Sequence, residues 1–186
     1  MEQLEQQLLE WVTQIFNAFS WPGVVGLMAI ESAGIPFPSE IIMPVSGWIL
    51  VKNAGHSASF VLVAAFYGAL GNLIGSVVAY WVAAKGGLPL LKRYGKYLLI
   101  TGHDLDRAHR WFAKYGDWAI FFSRLLPVVR TFISFPAGVA RMNLYKFIIY
   151  TFVGSYLWSL GLAFGGYKLG EQWDKIRDVM RPFDIP

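Results

Sequence analysis

Two arginines, Arg124 and Arg130, stand six residues apart in the apolar run FFSRLLPVVRTFISFPAG, residues 121–138, which Pro127 and Pro136 interrupt. A guanidinium does one kind of chemistry especially well. Its planar fork donates paired hydrogen bonds to a phosphate or a carboxylate, a geometry that lysine does not match. On a soluble surface the pair would mean little. Inside a bilayer each arginine costs roughly 3 kcal/mol before compensation, so it marks a functional site by default.

An earlier apolar run, residues 24–51, holds charge of the opposite sign. Glu31 and Glu40 flank Pro36 and Pro38, and Pro44-Val-Ser-Gly47 follows. Residues six apart on a continuous helix diverge by about 240°, but a hairpin break at Pro127 lets Arg124 and Arg130 face one cavity. Arg124 then closes a half-helix, whose C-terminal dipole favours a cation, and Glu40 opens one, whose N-terminus favours an anion. The glutamates are expected to pair with the arginines while the site is empty. Pairing that only pins the hairpins is the plainer reading, yet four charges at the midplane cost on the order of 10 kcal/mol. Apolar packing would do the same job at lower cost. Arg141 and Lys146 fall where the second run regains the interface, and both can snorkel to water.

These charges matter because the chain around them is a membrane protein. Hydrophobic residues make up 55% and charged residues 15% of its 186 residues, with a mean hydropathy of +0.44, outside the usual soluble range. The length suits one domain. Without cysteine there is no disulfide framework, thiolate metal site or cysteine nucleophile. A net charge of +4, with basic residues beside apolar spans, argues against nucleic acid as a partner. The acidic start MEQLEQQLLE does not resemble a secretory signal.

The elements that must position the charges follow in order. Residues 1–20 carry Leu4, Leu8, Trp11, Val12, Ile15, Phe16 and Phe19 at helical spacing, predicting an amphipathic interfacial helix that stops at Trp21-Pro22-Gly23. The proline-broken run 24–51 predicts two half-helices in a re-entrant hairpin, because freed backbone is tolerated at membrane depth only inside protein or a wet cavity. Residues 60–84 hold no charge and can cross ~30 Å of hydrocarbon; Lys85-Gly86-Gly87 is expected to end that span. Residues 88–117 predict two short interfacial helices separated near Gly102. The second broken run, 118–140, precedes a second span, 144–167, and a polar tail, 171–186. Basic residues concentrated in 85–117 put that segment in the cytoplasm and both termini outside.

The same order of features occurs twice, about 1–87 and about 103–170. Gly71 to Lys85 and Gly154 to Lys168 are equal spacings, and Pro44-Val-Ser-Gly47 echoes Pro136-Ala-Gly138. The expected fold is all-α, integral to the membrane, and an inverted repeat of amphipathic helix, re-entrant hairpin and transmembrane helix, an architecture of secondary transporters. Pro36, Pro38, Pro44, Gly47, Pro127, Pro136 and Gly138 are expected at the hairpin tips. Enzyme chemistry is disfavoured. His56, His103 and His109 lie outside both hairpins, and no metal-ligand spacing, nucleophile elbow or phosphate-binding glycine loop is present.

The two broken runs, ESAGIPFPSE with PVSG and FFSRLLPVVRTFISFPAG followed by Met142, resemble the DedA family, also described as SNARE-associated or VTT-domain membrane proteins. The resemblance covers most of the chain. It implies two facing re-entrant hairpins and lipid translocation linked to the proton motive force. Arg124 and Arg130 would bind a substrate phosphate, and Glu31 and Glu40 would couple or gate with protons. Some members carry a further aspartate after the first hairpin's tip, where this chain reads IIMPVSGW. Membrane lipids and protons are the implied partners, with a homodimer admitted and no cofactor or metal. The expected activity is flipping of a polyprenyl phosphate, such as undecaprenyl phosphate, in the bacterial cytoplasmic membrane, with several passes. A phospholipid (phosphatidylethanolamine) translocase or scramblase is the alternative, and a proton-coupled exporter of small solutes or cations is the alternative of another class.

Overall fold

The computed structural model describes residues 2–34, 38–94, 115–127 and 129–170, and every regular element among them is helical. Helix α1 spans Glu2–Ser32 and bends at Ser20, whose φ is 52°. The expected stop at Trp21-Pro22-Gly23 is thus a kink. The ring of Pro22 excludes the helical carbonyl four residues back, so the distortion falls just upstream and the helix then resumes. Across the break, α2 (Ser39–Val45) continues as a π-helical stretch, Ser46–Asn53. A 3₁₀ turn, Ala58–Phe60, leads into α3 (Val61–Tyr94). The second broken run forms α4 (Trp118–Arg124), α5 (Val129–Phe132) and α6 (Ser134–Val139), and α7 spans Leu144–Leu169.

Lys85-Gly86-Gly87 does not end α3. Glycine costs a helix about 1 kcal/mol relative to alanine but keeps its N–H, so the hydrogen-bond ladder runs on to Tyr94. The interfacial helices expected in 88–117 fall largely on residues 95–114, and the tail on 171–186; both lie outside the described residues.

Two stretches, Ala58–Gly86 and Leu144–Leu169, are long and apolar enough to cross a membrane. Each presents large apolar side chains outward at helical spacing: Leu62, Phe66, Ile74 and Val78 on one, Ile149, Val153 and Leu157 on the other. Such stripes suit hydrocarbon and not water. The chain is an all-α integral membrane protein.

Its contacts form two compact units: Met1–Met28, Phe37–Gly71 and Tyr156–Pro186 in the first, Ala29–Pro36 and Asn72–Ser155 in the second. The first has an apolar core of Val12, Phe16, Val24, Met28, Ile42, Met43, Val51, Val61 and Ala163. Glycines let backbones touch there. A Cβ on Gly47 would overlap the Ala163 carbonyl, and one on Gly166 would overlap the Pro44 carbonyl. The second unit packs Tyr80, Ile120, Ile133, Ala137 and Phe147. In it Gly138 lies against the Tyr80 carbonyl, and the Tyr80 hydroxyl donates to the Met142 carbonyl. Most of the buried polar side chains also belong to this second unit.

Candidate functional site

Helix α4 ends at Arg124, and its last turn tightens through Leu125 N–H to the Phe122 carbonyl and Leu126 N–H to the Ser123 carbonyl. Pro127 follows, and the chain turns into α5, where the Arg130 N–H donates to the Leu126 carbonyl at 3.1 Å. The turn brings both arginines inward, with 1% and 2% of their surface exposed.

Arg124 is held by neutral acceptors. Its Nη1 donates to the Arg130 carbonyl at 2.6 Å, and its Nη2 donates to Ser134 Oγ at 2.9 Å and Thr151 Oγ1 at 3.3 Å. Its Cζ lies 5.9 Å from the Phe147 ring centroid, within reach of a cation–π attraction. The buried Nε–H meets no acceptor, and no carboxylate pairs with Arg124 among the described residues. Gly154 on α7 makes room for the stem, since a Cβ there would sit 2.7 Å from Arg124 Cβ and 3.1 Å from the Phe121 carbonyl oxygen.

Arg130 is paired. Its Nη2 donates to both oxygens of Glu31, at 2.7 and 2.8 Å, and the Glu31 carboxylate is itself buried.

Glu40 belongs to the first unit. It sits half-buried in the first turn of α2, accepts a hydrogen bond from Ser39 Oγ at 3.2 Å, and makes no ion pair among the described residues. A short local bond from the preceding serine holds its carboxylate, which the sequence alone could not reveal. Lys146 pairs with Asp117 at the exposed end of α7, and Arg141 is exposed in a left-handed turn, φ 50°.

Of the residues expected at the tips, Pro127 lies in the turn after α4 and Pro38 precedes α2, while Pro36 lies outside the described residues. Pro44, Gly47, Pro136 and Gly138 are not at tips. They lie within the helical arms, where Gly47 and Gly138, lacking a Cβ, permit close backbone contact. Sequence reasoning passed over Ser134, Thr151, Phe147, Asn72 and Ser155. Their one signal is faint: Thr151 and Ser155 are polar residues one turn apart in an apolar span.

The VTT domain family model matches residues 37–168. Over its whole length the chain is 36% identical to the undecaprenyl phosphate transporter A of Bacillus subtilis, covering 88% of that protein. It is 31% identical, over 87% of the chain and 80% of the relative, to the protein of the same name from Staphylococcus aureus. It is also 32% identical to an alkaline phosphatase-like protein of Lactococcus lactis, over 92% of the chain and 80% of that relative. No solved structure matches. A family match across most of the chain, on a membrane fold, establishes that this chain belongs to the VTT-domain, or DedA, family.

Proposed function

We propose that this chain moves a phosphate-bearing lipid across the bacterial cytoplasmic membrane, with a polyprenyl phosphate such as undecaprenyl phosphate as its substrate. The observation that carries the proposal is Arg124, a fully buried guanidinium whose hydrogen-bond partners among the described residues are all neutral. A buried charge with no carboxylate directly bonded to it is costly, and an apolar side chain would pack the same helices. Such a cation is useful where an anion comes to it. Two of the relatives are named for transport of a lipid phosphate, which supplies that anion.

Arg130 is the second half of the clamp. In the resting state it holds Glu31, and an arriving phosphate would compete for it. The displaced Glu31 carboxylate is then the group to carry a proton with the substrate. Phe122, Leu126 and Val129 face outward on the same hairpin, which gives a lipid chain an apolar path while its head group is inside.

Transport is favoured over hydrolysis by what surrounds the arginines: hydroxyls, a carbonyl and one paired carboxylate. Titration of the purified protein with undecaprenyl phosphate and with phosphatidylethanolamine tests the proposal. Preferential binding of the polyprenyl phosphate, lost in Arg124→Ala, is expected. Preference for phosphatidylethanolamine would make the chain a phospholipid translocase, and binding unaffected by Arg124→Ala would remove the clamp.

A further inference from the structure

Two hydroxyls converge on Arg124 from different helices. Ser134 on α6 and Thr151 on α7 both accept from its Nη2, at 2.9 and 3.3 Å, and both residues are fully buried. A guanidinium has hydrogens to give and no acceptor to offer, so each hydroxyl can only accept in this contact. The hydrogen of each O–H is left to bond elsewhere.

Other buried hydroxyls of the chain show where such a hydrogen ordinarily goes. Ser123 Oγ donates to the Ile120 carbonyl at 2.6 Å, and Ser46 Oγ donates to the Met43 carbonyl at 2.7 Å. Each is spent on its own backbone one turn back, the usual outlet for a helical serine. Ser134 and Thr151 make no such bond among the described residues. The Arg124 Nε–H, which shares one edge of the guanidinium with Nη2, has no acceptor either. Three donors about one edge of a buried cation thus lack acceptors, and buried donors left unmatched are expensive.

We infer that Ser134 and Thr151 are phosphate ligands themselves and, with the Nε–Nη2 edge of Arg124, select a phosphate monoester over a diester; this rests on the phosphate-lipid reading above. A monoester presents three free oxygens and close to two negative charges at neutral pH. Arg124 Nε–H, Ser134 O–H and Thr151 O–H can match those oxygens one for one, while both hydroxyls stay bonded to Nη2 and keep the guanidinium oriented. A diester has one of the three oxygens capped, so one buried donor goes unmatched. Sites built to hydrogen-bond a group discriminate well against the analogue that lacks it, for this reason. The arginines then supply charge, and the hydroxyls count oxygens.

Wild type, Ser134→Ala, Thr151→Val, Ser134→Thr, Thr151→Ser and Arg124→Ala proteins in detergent are titrated with farnesyl phosphate, its methyl diester and inorganic phosphate. Wild type should bind the monoester at least about tenfold more tightly than the diester, charge and one hydrogen bond acting together. Ser134→Ala and Thr151→Val each remove the donor that a diester leaves unmatched, so each should lower that preference about fivefold, one net hydrogen bond. Ser134→Thr and Thr151→Ser keep a hydroxyl and should keep the preference. Equal binding of monoester and diester by wild type would overturn the inference, whether or not the variants fold. Both ligands weakening by the same factor in Ser134→Ala and Thr151→Val would also overturn it, reducing the hydroxyls to supports for Arg124 and leaving the clamp standing. Inorganic phosphate binding as tightly as farnesyl phosphate, or undiminished binding of farnesyl phosphate by Arg124→Ala, would instead fail the lipid-phosphate reading itself.

Discussion

Removing Arg130 and removing Arg124 should have different consequences, because among the described residues Arg130, and not Arg124, bonds directly to a buried carboxylate. Arg130→Gln leaves Glu31 without its guanidinium, and breaking a buried ion pair from one side costs about 3–5 kcal/mol. Adding Glu31→Gln should return much of that stability while transport stays absent. Thermal unfolding of the purified single and double variants checks this, and a double variant no more stable than Arg130→Gln would deny the pair. At this scale the sequence is legible where charge interrupts an apolar run, which is why Arg124, Arg130 and Glu31 stand out unaided. Hydroxyl residues are common in spans, so nothing sets Ser134 or Thr151 apart. The local bond from Ser39 to Glu40 is not legible either, because the partner of a carboxylate is a tertiary fact.

The helices place these groups through glycines. Gly71 and Gly154, equivalent by spacing to Lys85 and Lys168, each admit an arm of their own half: Gly71 lies against the Val25 carbonyl, and Gly154 against Phe121 and Arg124. The likeness supports reading the two halves as a repeat, as their order of features in the sequence suggests. Gly154→Ala should displace Arg124, lowering stability by about 1–3 kcal/mol as overpacking does and reducing transport at least as severely. Gly161→Ala on the same helix meets nothing within 4 Å and should be neutral or slightly stabilising, as alanine is the better helix former. Equal behaviour of the two variants in unfolding and flux assays would refute the packing account. Span positions are readable from composition, since an uncharged apolar stretch long enough for the hydrocarbon core seldom occurs outside a membrane. The ends of α1 and α3 are not, because proline and glycine weaken a helix without saying whether tertiary packing will carry it on.

For the whole molecule the questions are direction and driving force. The buried polar groups gather in the unit that holds both arginines, while the other unit's core is apolar. The carboxylate paired to Arg130 makes Glu31 the coupling group in our proposal. Vesicles containing wild type, Glu31→Gln or Glu40→Gln, assayed with and without an imposed pH gradient, should show a gradient-dependent flux that Glu31→Gln abolishes and Glu40→Gln retains. Flux that ignores the gradient in wild type would make the protein a passive scramblase.

The central claim is that two guanidiniums grip a lipid phosphate by geometry as well as charge. Its most direct test is the rate at which reconstituted Arg124→Lys and Arg130→Lys proteins move a fluorescent polyprenyl phosphate, each compared with wild type at equal insertion. Lysine keeps the charge but cannot donate two bonds in a fixed plane, so both variants should be strongly impaired while remaining folded. Wild-type rates in both would contradict the claim, reducing the arginines to a source of positive charge.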